Sequence, residues 1–274
     1  MPDSREAEEP YEVYALRYAA RQGRKSREFL GFHKYGEPDE PCTLDYFFWL
    51  ARNGRRTVLV DCGYSAARAR EKNLYTGNSP NHDPLEILSH LGVSPGEVDH
   101  VVLSHMHHDH VGNVDQFPNA TFSMARAELE FWTGPYAASE LLASTIEAEE
   151  VALVESLLRE GRLHLIEDGE TIFPGIQVTR LGGHTPGQLM TEVAGRSGPV
   201  VLASDAVHFY EEMEADRPFW FFCDLPATYR AYQVFRELSG RKGTVIVPGH
   251  DPAVMRRFQA VRESYIADLT RPVG

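Results

Sequence analysis

Between Val101 and Asn113 the chain reads VVLSHMHHDHVGN. Four of its twelve histidines and one aspartate fall within His105 to His110. Imidazole nitrogens and carboxylate oxygens at this density form a donor set for a borderline-soft divalent cation. Extended residues two apart face the same way, so His105 and His107 can pinch one cation. Asp109 and His110 come next, where the chain must already curl towards a helix, and they point to a second cation. His108 alternates away from His107 and reads as a pocket-lining or packing residue, not a ligand.

Three further donors come after apolar runs. Ile176-Gln177-Val178-Thr179 leads through Leu181-Gly182-Gly183 to His184. Val200-Val201-Leu202-Ala203-Ser204 ends at Asp205, and Thr244-Val245-Ile246-Val247 leads through Pro248-Gly249 to His250. Val101-Val102-Leu103-Ser104 delivers His105 in the same manner. In α/β architectures ligands gather outside the carboxyl ends of strands. Four strands would therefore present their donors to one cleft. His184 completes the face of His105 and His107, because a double glycine lets the backbone turn tightly before it. His250 joins Asp109 and His110, and the two oxygens of Asp205 can bridge both cations. Such ions lie about 3.5–4 Å apart, hold and deprotonate one water, and polarise a carbonyl or phosphoryl oxygen. Zinc is the first expectation, and Mn, Fe and Co fit the same donors because no thiolate is among them. Asp61, after Val58-Leu59-Val60, reads equally as a hydrogen-bond partner for a ligating histidine and as an ordinary strand-end aspartate before Gly63. Cys62 reads as a packing residue. His33, His82, His90, His100 and His164 have no comparable setting.

The elements that must position these donors alternate between extended and helical patterns. Tyr11–Tyr18, Tyr46–Leu50 and Thr57–Val60 read as strands, with Asn53-Gly54 as a hairpin turn. A helix should start at Asp83-Pro84 and stop near His90, before Gly92. Residues 125–132, about 140–159 and 228–238 also read as helices, and the Glu- and Ala-rich region 133–160 as a helical insertion or lid. The chain has 274 residues, 42% of them hydrophobic, which suffices for one large core or two small ones. Its net charge of −13 argues against nucleic acid or an anionic membrane as partner. No apolar run has membrane-spanning length. Residues 1–10 read as a mobile acidic tail and 11–274 as a single domain. Cys42, Cys62 and Cys223 are too few and scattered for a disulfide framework, so a reducing cytoplasm is the simplest setting.

The pattern His105-Met106-His107-His108-Asp109-His110, with His184, Asp205 and His250, resembles the metallo-β-lactamase superfamily. Within it, LDYFFWLARNGRRTVLVDCGYS, FPNATF, GGHTPGQL and IVPGHDP are most similar to the N-acyl homoserine lactonases. The resemblance spans about Tyr11 to Phe258. It implies an α/β fold, the αβ/βα four-layer sandwich, with two central mixed sheets flanked by helices and a dinuclear site at one edge. It also implies that His105, His107 and His184 bind one metal, that Asp109, His110 and His250 bind the other, and that Asp205 bridges. The expected reaction is opening of a lactone by a metal-bridging hydroxide, with the other metal, or Asp109 as a proton shuttle, assisting the leaving alkoxide.

Lactonases of this group commonly place a tyrosine three residues after the bridging aspartate, against the substrate carbonyl. Here that position holds His208, and the nearest tyrosine is Tyr210. Extended alternation would put both on one side, and the phenol chemistry favours Tyr210. Phe219-Trp220-Phe221-Phe222 reads as a pocket wall, a subunit interface or plain core. A glyoxalase-II-like thioesterase shares the ligand set, but too few residues come after His250 for its glutathione-holding part. Amide, carbamate and phosphotriester hydrolysis are alternatives on the same site. A silent scaffold has no use for an open seven-ligand site. The expected partner is a small lactone or ester, and a homodimer is the one protein assembly left open.

Overall fold

The computed structural model describes residues 9–64, 69–70 and 82–273. Of the expected N-terminal tail, only Glu9 and Pro10 are among them. The strands are β1 (Glu12–Arg24), β2 (Pro41–Arg52), β3 (Thr57–Val60), β4 (His100–Val102), β5 (Thr121–Ala125) and β6 (Leu163–Ile166). They continue as β7 (Gly169–Phe173), β8 (Ile176–Arg180), β9 (Leu189–Gly195), β10 (Gly198–Ser204), β11 (Val245–Pro248), β12 (Phe258–Val261) and β13 (Glu263–Pro272). One sheet has the order β12-β13-β1-β2-β3-β4-β5-β6, the other β11-β10-β9-β8-β7. Both are mixed: β3 to β6 run parallel in the first, and β10 with β11 in the second.

Alternation along β2 shows how the first sheet is buried on both faces. Tyr46, Phe48 and Leu50 enter one core with Ile87, Leu88, Val154 and Leu157 of the outer helices. Phe47, Trp49 and Ala51 enter the other core with Val178, Val193 and Val201 of the second sheet. Ala231, Tyr232 and Phe235 of the helix Leu225–Ser239 share that second core. Helix, sheet, sheet and helix thus form an α/β sandwich.

The β1–β2 hairpin is longer than the apolar runs suggest, because polar residues continue the pairing from Ala19 with Tyr46 to Arg24 with Pro41. Asp83 caps the helix Pro84–His90 through the Leu85 amide. Two helices differ from expectation. The stretch expected as one helix over 140–159 is broken into Glu140–Ala143 and Ala148–Arg159. The Ser144 and Thr145 hydroxyls donate to the Leu141 and Leu142 carbonyls, diverting the backbone from helix continuation. The last expected helix starts earlier, at Leu225, where Asp224 accepts the Ala227 amide proton and Pro226 occupies the first turn.

Candidate metal centre

The carboxyl ends of β3, β4, β10 and β11 meet at one edge of the sandwich. His105 comes after β4, Asp205 after β10 and His250 after β11. His184 lies in the loop between β8 and β9, after Gly182 and Gly183 with φ of 68° and 92°. At Gly183 a Cβ would stand 2.8 Å from the Thr228 amide nitrogen, so the tight turn requires glycine. His107 is the last extended residue before the helical turn His108–Val111, which swings Asp109 and His110 away from it.

All seven expected donors converge here and are buried. His105, His107, His184 and Asp205 form one group, and Asp109, His110 and His250 a second. Asp205 divides its oxygens between them. Its Oδ1 lies 3.3 Å from His110 Nε2 and 3.1 Å from His250 Nε2. Its Oδ2 lies 3.4 Å from His184 Nε2 and 3.8 Å from His105 Nε2. Asp109 Oδ2 is 3.4 Å from His110 Nε2 and 3.8 Å from His250 Nε2. Buried polar atoms without a hydrogen bond are costly. His105 Nε2 of the first group, His110 Nε2 of the second and Asp205 Oδ1 are such atoms. They fit a pair of divalent cations.

Electrostatics separates the two groups. Burial pushes the His105, His107 and His184 rings below the ordinary histidine value, His107 to about 4. At His110 burial acts the same way, but Asp109, Asp205 and Asp61 outweigh it and raise the ring well above that value. Burial would raise Asp205, but His250 and His110 hold it well below the carboxylate range.

The outer ring nitrogens are fixed in turn. His110 Nδ1 donates to Asp61 Oδ2 at 2.7 Å. His105 Nδ1 donates to Ser104 Oγ at 3.0 Å, which donates to Asp61 Oδ2 at 2.8 Å. His184 Nδ1 faces the Phe221 carbonyl, and His250 Nδ1 donates to that of Asp45. Asp61 is therefore the orienting partner, one of its two sequence readings. Asp61 and Ser204 hold φ of 61° and 46°, left-handed values that cost non-glycine residues energy and cluster at functional sites.

A cavity of about 440 Å³ opens above the donors, lined by His107, Asp109, His184, Asp205, His208 and His250. Leu44, Tyr46, Phe219, Trp220 and Phe221 form its apolar side. Of the run Phe219–Phe222, the first three residues are thus pocket wall and Phe222 is not among the lining residues. His108 also lines this cavity, while its Nδ1 donates to the Thr145 carbonyl.

The expectation for Tyr210 is overturned. Tyr210 does not continue an extended stretch; it opens the helix Tyr210–Ala215 and turns away from His208. Its hydroxyl donates to the Ile246 carbonyl at 3.0 Å, and its ring lies under the Arg257 guanidinium, away from the cavity. His208 occupies the place beside the donors. Its Nε2 is 3.2 Å from Asp205 Oδ2, its Nδ1 3.3 Å from Glu212 Oε1, and its ring stacks on Phe219 at 3.7 Å. Burial would lower this ring, but Asp205 and Glu212 prevail and raise it to about 9.

Two buried carboxylates were not expected from the sequence. Glu212 accepts the His208 and Phe209 amide protons. Glu128 accepts from the Met106 and Gly187 amides and from Trp132 Nε1. The only advance signal for Glu128 is its place on the same helical face as Trp132, four residues on.

The chain matches the model of the metallo-beta-lactamase superfamily over residues 45–250 and belongs to that superfamily. It is similar to an N-acyl homoserine lactonase of Bacillus sp., 26% identical over 225 residues, 78% of this chain and 84% of the relative. An N-acyl homoserine lactonase of Azorhizobium caulinodans is 30% identical over 174 residues, 62% of this chain and 64% of the relative. Among solved structures, a quorum-quenching N-acyl homoserine lactone lactonase superposes with a TM-score of 0.72 at 20% identity, covering 93% of this chain and 98% of that one. A dizinc quorum-quenching lactonase superposes at 0.67 and 18% identity, covering 88% of each chain. At these identities the superpositions speak for the fold. No helix among the described residues is long and apolar enough to cross a membrane.

Proposed function

We propose that this chain is a dinuclear-metal hydrolase that opens lactone rings, with N-acyl homoserine lactones as its first substrate class. The observation that carries this reading is the division of Asp205 between two imidazole groups on the floor of an aromatic-walled cavity. His105, His107 and His184 would hold one cation, Asp109, His110 and His250 the other, and Asp205 both. Bound there, the cations, with zinc as first candidate, would supply an activated water and polarise the ester carbonyl.

The chain's residues contribute position, dryness and protons. Leu44, Tyr46, Phe219 and Phe221 receive an apolar acyl chain and exclude water. His208, which lines the cavity with its Nε2 beside Asp205, is the group assigned to donate to the developing oxyanion, a contribution of about 2.7–4 kcal/mol for a well-placed donor. Phe219 stacking and Glu212 fix that ring in place. Asp109 lines the cavity and is the group assigned to pass a proton to the leaving alkoxide. A lactone suits the site because its acyl and alkoxide ends stay tethered. Similarity to lactonases of Bacillus sp. and Azorhizobium caulinodans supports the substrate class. Unpaired Cys42, Cys62 and Cys223 support a reducing, cytoplasmic setting for the single hydrolase domain.

The test is a panel of acyl homoserine lactones, thioesters and amides, with products read by mass spectrometry. Lactones should gain one water and regenerate on re-acidification. Inert lactones beside rapid thioester turnover would replace this reading with a thioesterase.

A further inference from the structure

We propose that Glu128 is a positioning residue that sets the His105/His107/His184 half of the metal centre and leaves the other half alone. This inference rests on the two-metal reading. Glu128 sits in the helix Arg126–Trp132 and is fully buried. A buried carboxylate persists only where several donors meet it. Glu128 Oε1 accepts the Met106 amide at 2.9 Å and Trp132 Nε1 at 2.7 Å. Its Oε2 accepts the Gly187 amide at 2.8 Å.

These three donors belong to the pieces that carry one ligand group. Met106 lies between His105 and His107. Gly187 is in the loop that carries His184. The Trp132 ring packs edge-on against the His107 ring, with centroids 5.5 Å apart. One carboxylate thus clasps two loops from different sheets and steadies a third ligand through an aromatic contact. The closeness is enforced at Gly187, where a Cβ would fall 2.4 Å from Glu128 Cβ and 2.5 Å from its amide nitrogen. The other half has its own supports: His110 leans on Asp61, and His250 on the Asp45 carbonyl.

Glu128→Gln keeps the shape and removes one acceptor. With its oxygen kept for Met106 and Trp132, its amide N–H group faces the Gly187 N–H, donor against donor, and the His184 loop must move. The experiment titrates the zinc-loaded protein with a chromogenic chelator and monitors folding by circular dichroism. Wild type should release zinc in two steps. Glu128→Gln should weaken one step by about 10–100-fold, the usual scale for an orienting partner, and keep the other. Asp109→Asn, which alters a ligand of the other half, should weaken the other step, and this assigns the two. A folded Glu128→Gln protein with both wild-type affinities overturns the proposal, as does an equal loss at both steps. A carboxylate that only stabilises the fold would lower the melting temperature of the metal-free protein and leave both affinities intact. Should Glu128→Gln not fold, Trp132→Phe removes a single donor: a smaller loss confined to the same step supports the proposal, and unchanged affinities overturn it. A wild type releasing fewer than two zinc ions instead sinks the two-metal reading.

Discussion

The two halves of the metal centre use different physics. His105, His107 and His184 are three imidazoles pressed below their ordinary pKa by burial, and His184 Nε2 and His107 Nδ1 share a hydrogen bond at 3.0 Å. Asp109, His110 and His250 hold a carboxylate of their own and a second one, Asp61, directly behind His110. The first half gathers its imidazoles around one oxygen of the shared Asp205 and is clasped by Glu128; the second adds Asp109 and, behind His110, Asp61. A pair of cations in such a site would not be equivalent. The comparison teaches that shared ligand chemistry does not make equal sites, because the groups behind the ligands set their charge and rigidity.

Removing both metals erases the difference between the halves and should have the largest effect. Exhaustive chelation should abolish lactone hydrolysis, and zinc should restore it. Full activity in a preparation shown metal-free by elemental analysis would end the mechanism. His208 stands beside the first half. His208→Ala should lower kcat by about 10²-fold at unchanged zinc content, the scale of a lost oxyanion donor. Tyr210→Phe should leave kcat near wild type and cost about 1 kcal/mol of stability for the hydrogen bond to Ile246. The reverse pattern in steady-state kinetics would return the role to the phenol. Asp61→Asn should weaken zinc binding by about 10–100-fold, chiefly at the half that contains His110. Ser104→Ala, which breaks the relay from His105 to Asp61 and the hydroxyl contact with Ser204 but leaves Asp61 on His110, should cost less; chelator competition that ranks them the other way would refute the charge asymmetry.

The smallest effect lies outside the centre. His100 is buried, with Nδ1 on Thr121 Oγ1 and Nε2 on Ser123 Oγ, and burial lowers it to about 4. The folded state therefore binds this proton less readily than the unfolded chain, whose histidine titrates near 6.5. Its stabilising contribution is complete above about pH 6.5 and is lost as pH falls towards 4. Metal-free His100→Gln should show a flatter melting-temperature profile across that window than metal-free wild type. Parallel profiles would show that His100 does not titrate there.

The donors were legible because chemistry and geometry coincide in them. Strand-end imidazoles after apolar runs have few other uses, and the period of two pairs His105 with His107. Phenol chemistry favours Tyr210 only while extended alternation keeps it on the side of His208, and the chain instead turns helical at Tyr210. Glu128 left little trace. A glutamate in a helix ordinarily faces water, and only the folded arrangement of Met106, Trp132 and Gly187 reveals why this one does not. The break at Ser144 and Thr145 is hidden too, since the contact that holds it, the His108 amide on the Thr145 carbonyl, is between residues far apart in the sequence.

The donors come from both sheets, the segment after β4 supplying four of them and the loops after β8, β10 and β11 the rest. A cation seated among them ties together segments far apart in the chain, much as a crosslink does. Closing such long loops is slow for an unfolded polymer, so the cation-binding cage can exist only after the two sheets have docked. Metal capture by the complete set of donors would then follow that docking and latch it. Whatever free energy the ions release on binding is added to the cohesion of the sandwich edge. Starving such a protein of metal would silence it and would also loosen the seam where its two halves meet.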